Sequence, residues 1–158
     1  HRPSAPEKIP FRGRFIEVPQ ACDTFARFHF RDLCERPLGA ADFLQIARRF
    51  HTVMIEGVPV LGPERRNAAK RLINLVDALY DCRVKLLVSA AAPPAALWTG
   101  SEGTETFEFQ RTVSRLTEMR SREYAAEPHG TGEGTILVDD PDTPEDDEDD
   151  AVRHAPDT

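Results

Sequence analysis

Two apolar runs on either side of one amphipathic helix constrain this chain more than anything else in it. The first run, Thr52-Val53-Met54-Ile55, reaches Glu56-Gly57 and resumes as Val58-Pro59-Val60-Leu61. An unbroken apolar run suits a strand covered on both faces, not one alternating between core and water. Gly62-Pro63 then punctuates the chain, and Pro63 fits the first turn of a helix, where its missing N–H is no loss. The periodicity predicts that helix over Glu64 to Asp81. Ala69, Leu72, Ile73, Val76, Leu79 and Tyr80 form one stripe, with Arg66, Lys70, Asn74 and Asp77 facing away. Val84-Lys85-Leu86-Leu87-Val88 follows at once as a second buried strand. Strand, helix, strand at this spacing is a βαβ unit, which crosses over right-handed and leaves its strands parallel. The fold class is therefore α/β.

Before this unit, Arg14-Phe15-Ile16-Glu17-Val18 and Ala26-Arg27-Phe28-His29-Phe30-Arg31 both favour strand, the second alternating at period two. They are expected to pair as an N-terminal β-hairpin across Pro19 to Thr24, with Ala26, Phe28 and Phe30 inward and His29 outward. Ala40 to Phe50 sets Phe43, Leu44, Ile46, Ala47 and Phe50 at helical spacing, with Asp42, Gln45, Arg48 and Arg49 opposite. After the second strand, Ala90 to Pro94 reads as loop, Ala95 to Trp98 as one helical turn, and Thr99 to Thr106 as loop. A C-terminal helix from about Phe107 to Tyr124 places Phe109, Val113 and Leu116 together. Residues 1–11, with Pro3, Pro6 and Pro10, read as an irregular segment and 12–126 as the folded portion. The opening His1-Arg2-Pro3-Ser4 reads as the interior of something longer.

Charge divides the chain unevenly. Of the net −7, the stretch from Glu133 to Thr158 carries −10, which leaves +3 on residues 1–132. From Asp139 to Asp150 there is no aromatic residue and nothing apolar to bury, so the entropy of ordering goes uncompensated. Residues 127–158 are accordingly expected to be a disordered acidic tail, either a solvating terminus or a docking tail for a basic partner. No run approaches the roughly 18 apolar residues that a transmembrane helix needs. Cys22, Cys34 and Cys82 are widely spaced and include no CxxC, which argues against a disulfide framework or zinc site and for reduced thiols in a cytoplasmic setting.

Polar groups at the carboxyl ends of parallel strands are the strongest functional feature, because open α/β sheets bind ligands there. Glu56 ends the first strand and Ser89 the second. In a nucleotide-hydrolysing enzyme such an acid can hold Mg²⁺ or orient water, and such a hydroxyl can sense the terminal phosphate. Equally, Glu56 can be a plain strand-end carboxylate, and it lacks the adjacent aspartate that ligates the metal. The phosphate cradle GxxxxGK[ST] does not occur in these residues. Gly130-Thr131-Gly132-Glu133-Gly134 reads as a linker. Arg111 and Arg115, four apart on the last helix, present their guanidinium groups together and suit either phosphate or pairing with Glu108 and Glu118. The histidines show no ligand spacing, no GxSxG occurs, and basic residues do not alternate with aromatics as in nucleic-acid binders. No catalytic residue and no metal ligand is assigned.

These residues resemble one family. Phe28-His29-Phe30-Arg31-Asp32-Leu33-Cys34 with Pro37-Leu38-Gly39-Ala40-Ala41-Asp42-Phe43 is similar to the FxFxxLCxxPLGAADY signature of ZapE-like ATPases, with Phe43 at the tyrosine position. Those are the bacterial relatives of the mitochondrial lactation-elevated protein. Phe50-His51-Thr52-Val53, Val58-Pro59-Val60-Leu61, Arg71 through Asp81 and Phe107 through Leu116 continue the match in order. The resemblance implies a partial P-loop NTPase of the AAA+ kind, the C-terminal portion of an enzyme that uses ATP and Mg²⁺ to act on a protein partner. In bacteria that partner lies at the division ring, and in mitochondria in protein quality control. It implies a phosphate-facing or subunit-interface role for Arg111 and Arg115, and homo-oligomers. It also implies that this chain alone, without phosphate loop or Walker B acids, takes up no cofactor and does not hydrolyse ATP. The alternative is a protein-binding or oligomerisation module without nucleotide.

Overall fold

The computed structural model describes residues 3–121, with 124, 126 and 128–130. Its centre is a five-stranded sheet in the order β1 (Ala5–Phe11), β2 (Arg14–Cys22), β3 (Phe25–His29), β4 (Thr52–Val58) and β5 (Lys85–Ala90). β1, β2 and β3 are antiparallel, whereas β3, β4 and β5 run parallel. Met54 pairs with Leu87 and Ile55 with Val88, so the two apolar runs are neighbours, as the βαβ reading requires. The chain is a mixed α/β fold with a partly parallel sheet.

The N-terminal part differs from expectation in ways its residues explain. Residues 5–11 form strand β1 instead of an irregular segment, because Lys8-Ile9-Pro10-Phe11 alternates and Arg12-Gly13, at φ 51° and 76°, makes a tight turn into β2. Pro6 and Pro19 sit where the β1–β2 register slips between Ala5 and Glu7, a bulge where a missing N–H is tolerated. β2 therefore runs on past Pro19, and its turn to β3 is only Asp23-Thr24, with Cys22 opposite Phe25. Asp23 takes φ 53°, a conformation that aspartate tolerates better than most residues. β3 stops at His29 rather than Arg31. There the His29 ring accepts a hydrogen bond from the Arg31 N–H (3.2 Å), and Asp32 Oδ2 accepts from the His29 N–H (2.9 Å). That reciprocal cap starts α1 (Phe30–Cys34) at once.

α2 (Ala40–Arg49) buries Phe43, Ile46 and Ala47. Asp42, expected on the polar side, is 3% exposed; it accepts the Gly39 N–H at 2.8 Å and pairs with Arg14 of the hairpin. A 3₁₀ turn at Pro63–Arg65 leads into α3 (Arg66–Asp81). Its apolar face is wider than the expected stripe, adding Ala68, Leu75 and Ala78, because it packs against both α2 and α4. α4 (Thr104–Glu118) begins three residues early, behind Gly103 at φ 92°, and buries Phe109, Thr112 and Leu116. Leu61 bridges Trp98, whose indole N–H donates to Thr106 Oγ1 at 2.8 Å, fastening the chain after β5. The disorder expected of the tail lies, except for 128–130, outside the described residues.

The sheet has a covered face and an open one. Ile16, Val18, Ala21, Ala26, Phe28, Val53, Ile55 and Leu86 are buried and share one core with the helices. Their alternates Arg27, Met54 and Leu87 stand in register across β3, β4 and β5 and are at most half-buried. The expectation that both apolar runs are covered on both faces is thus corrected. Among the described residues every helix packs into the core on one side.

Candidate functional site

The carboxyl ends of β3, β4 and β5 form the site. On each strand the residue two beyond the row Arg27, Met54, Leu87 shares its face, which brings up His29, Glu56 and Ser89. The β4–β5 register slips between Ile55 and Val58, so Glu56 and Gly57 together oppose Ser89. Gly57 sits at φ 71°, where only glycine is unstrained, and a Cβ there would lie 2.6 Å from His29 Nε2. The bulge re-aims Glu56 and leaves a cleft of about 370 Å³ floored by Met54 and Leu87 and rimmed by His29, Glu56, Gly57, Val88 and Ser89.

The rim chemistry follows from its hydrogen bonds. His29 Nδ1 accepts the Arg31 N–H, so the neutral ring carries its proton on Nε2, the atom beside Gly57. Glu56 forms an ion pair with Arg27 on the same open face. Ser89 is exposed. The cleft thus offers an imidazole donor, a hydroxyl and a carboxylate already matched by a guanidinium. This combination can position a polar ligand but holds no free metal-binding cluster. Among the described residues no three His, Cys, Asp or Glu side chains converge. Sequence reasoning placed His29 merely outward; the signal available was its position opposite Glu56 once β3 and β4 are parallel.

Arg111 and Arg115 lie elsewhere. Both reach across from α4 to Asp77 on α3, Arg111 Nη2 at 2.9 Å, and Arg115 also lies 4.9 Å over the Tyr80 ring. Their partner is Asp77, not Glu108 or Glu118, which instead take Lys70 (2.7 Å) and the Tyr80 hydroxyl. Arg66 and Glu105 extend the same seam at 3.2 Å. Neither arginine lines the cleft of Glu56 and Ser89, so the sequence candidates fall into two separate groups. The Cys34 thiol is pushed up to about 12 by burial, against the nearby Arg71 charge, which makes it inert as a nucleophile.

A family model described as AFG1-like ATPase matches residues 2–128. Lactation elevated protein 1 homolog B of Danio rerio is 36% identical, covering 75% of this chain and 30% of its own length. A Schizosaccharomyces pombe protein is 32% identical, covering 80% of this chain and 34% of its own length. Cell division protein ZapE of Escherichia coli K12 is 42% identical over 103 residues, 65% of this chain and 27% of that protein. The chain therefore spans about a third of the length of these relatives. No solved structure matches it.

Proposed function

This chain belongs to the AFG1-like ATPase family, and from that premise we propose that it is the C-terminal portion of a P-loop, AAA+-type ATPase domain. In the whole protein that domain couples ATP hydrolysis to action on a protein partner. The observation that carries the reading is the placement of Glu56 and Ser89 side by side at the carboxyl ends of parallel strands. There they would report on nucleotide state rather than perform chemistry. The relatives named as cell division proteins favour a division-ring partner and a cytoplasmic setting; protein quality control is the other role for the same machinery.

The residues present do not fit a nucleoside triphosphate and its Mg²⁺ unaided. Glu56 is engaged by Arg27, and the sequence holds no GxxxxGK[ST]. No hydrolytic step is assigned to this chain, and ATP and Mg²⁺ belong to the complete enzyme. What the chain would add is Arg111, its guanidinium half-exposed, as the group able to leave Asp77 for a phosphate or a neighbouring subunit. Arg115, held between Asp77 and Tyr80, would position Arg111 and fix the α3–α4 seam.

The test is ATP turnover by the full-length protein carrying Arg111→Ala or Arg115→Ala. Loss of an arginine that stabilises transferring phosphate lowers turnover about 1000-fold, whereas loss of an exposed ion pair costs under about 1 kcal/mol of stability. Arg111→Ala is therefore expected to lose turnover while keeping its thermal midpoint. Unchanged turnover and assembly in both variants would end the arginine assignment.

A second reading, a protein-binding or oligomerisation module without nucleotide, is favoured by the open sheet face of Met54 and Leu87. Heat of binding on titrating ATP and Mg²⁺ into the 158-residue chain would count against this second reading, and ATP turnover by the full-length protein separates the two.

A further inference from the structure

The last described residues close on the amino-terminal ends of β4 and β5, the end of the strands opposite the cleft. The Gly130 N–H donates to the Cys82 carbonyl at 2.8 Å, just before β5, and His129 Nε2 donates to the Ala47 carbonyl of α2 at 2.7 Å. The His129 ring meets the His51 ring edge-on, with 5.8 Å between centroids. The backbone fixes His51 in turn, because its N–H donates to the Thr24 carbonyl at 2.8 Å and its carbonyl accepts the Lys85 N–H at 2.9 Å. Its ring contacts Thr52 Oγ1 at 2.8 Å. His129 and Gly130 are thus seated by two hydrogen bonds and an imidazole pair, and His51 is the half of that pair anchored in the sheet.

Such a pair accepts charge poorly. The charged groups on the elements packed around it are Lys85 of β5, Arg48 and Arg49 of α2, Asp81 and Arg83 beside the end of α3, and Asp23 in the β2–β3 turn. Arg49 is taken by Glu7, and Arg83 lies over the Tyr124 ring. Burial first, then Lys85, then His129 hold the His51 imidazole below its ordinary range. The Cys82 thiol is pushed up by burial and carries no charge near neutral pH. His129 Nε2 holds the proton it donates to Ala47, so the neutral ring has a bare Nδ1, and a second proton there sets a full charge against His51.

We propose that His51 and His129 form a proton-operated latch, which holds residues 128–130 against α2 and the start of β5 while both rings are neutral and releases them when both are charged. Seating keeps His51 below the imidazole value of 6.5, and unseating takes away the neighbouring ring and part of the burial, which lets the value rise. The lower value belongs to the seated form, so seating is strongest at neutral and higher pH and is lost as the pH falls below 6.5. Lys85 belongs to β5 in both forms, whereas His129 faces His51 only in the seated one. Two unit charges 5.8 Å apart, at a dielectric between those of protein and water, shift an equilibrium about tenfold. The stretch beyond Gly130 is thereby fastened to the fold at neutral pH and let go in mild acid.

The experiment uses the full 158-residue chain, isotope-labelled, and reads by NMR the exchange protection of the Gly130 amide, corrected for the intrinsic pH dependence of exchange, at about pH 7.5 and about pH 5. In the wild type, protection is expected to fall about tenfold between the two. His51→Gln, whose side chain takes no charge, is expected to hold the change to under about twofold. His51→Lys, charged at both values, is expected to show the acid level of protection throughout. Amides within β4 and β5 are expected to stay protected, which separates release from unfolding. A Gly130 response in His51→Gln equal to that of the wild type would overturn the proposal. So would wild-type protection that does not change with pH, or His51→Lys protected as fully at the upper pH as the wild type. Loss of protection within β4 and β5 of the wild type, to the same extent as at Gly130, would overturn it too, by making the acid transition a global one.

Discussion

Asp42→Ala is expected to cost the folded chain about 3 kcal/mol, read as a fall in its urea midpoint at unchanged slope. Two elements lose their connection at once. Oδ2 of Asp42 accepts the Gly39 N–H that begins α2, a cap that contributes about 1 kcal/mol in comparable helices. Oδ1 faces Arg14 at the start of β2. Asp42 is 4% exposed at the side chain and Arg14 49%, so water recovers much of the arginine's solvation when the acid is removed. The burial of the acid is what sets the size of the loss, because its site cannot refill with water as readily. Asp42→Asn keeps an oxygen for Gly39 and is expected to lose about half as much. Arg14→Ala, which leaves the buried Asp42 carboxylate without its cation, is expected to cost as much as Asp42→Ala, roughly 3 kcal/mol. Stabilities of Asp42→Ala and wild type within experimental error would show that hairpin and helix do not depend on this contact.

How much of this was legible beforehand varies with the kind of signal. α3 and its flanking strands announce themselves because long apolar periodicity needs no partner to be read, and the pairing of Met54 with Leu87 follows from it. β1 is hidden because Pro6 and Pro10 look like breakers until a neighbouring strand supplies the bulge and edge that tolerate them. Asp42 reads as polar surface, since nothing local tells a carboxylate that an arginine 28 residues away will cover it. The same limit applies to Asp77, whose two arginines lie on another helix. In the site, Glu56 and Ser89 are visible as strand ends. His29 joins them only through the parallel register of β3 and β4, a long-range fact without a local sign.

The one-sided sheet makes the sharpest quantitative contrast. Phe28→Ala is expected to cost about 3–5 kcal/mol, as for a large side chain deleted from a packed core that cannot collapse around the void. Phe28 is 1% exposed and shares its face with Ala26 and Ile55, the row against which the helices close. Met54→Ala, one strand over and on the other face, removes a side chain that is only half-buried. In the 158-residue chain it is therefore expected to cost under about 1 kcal/mol. Equal losses for the two would mean that the open face is covered by something the described residues do not include. The comparison becomes informative about the complete protein when repeated there. If residues outside this chain close over Met54 and Leu87, Met54→Ala should approach the Phe28 penalty in the longer protein while staying small in the shorter one. The same cover would wall in the cleft of His29, Glu56 and Ser89. A rise in the Met54 penalty and a change in cleft chemistry are then two readings of one event, because both groups occupy the same face of the same three strands.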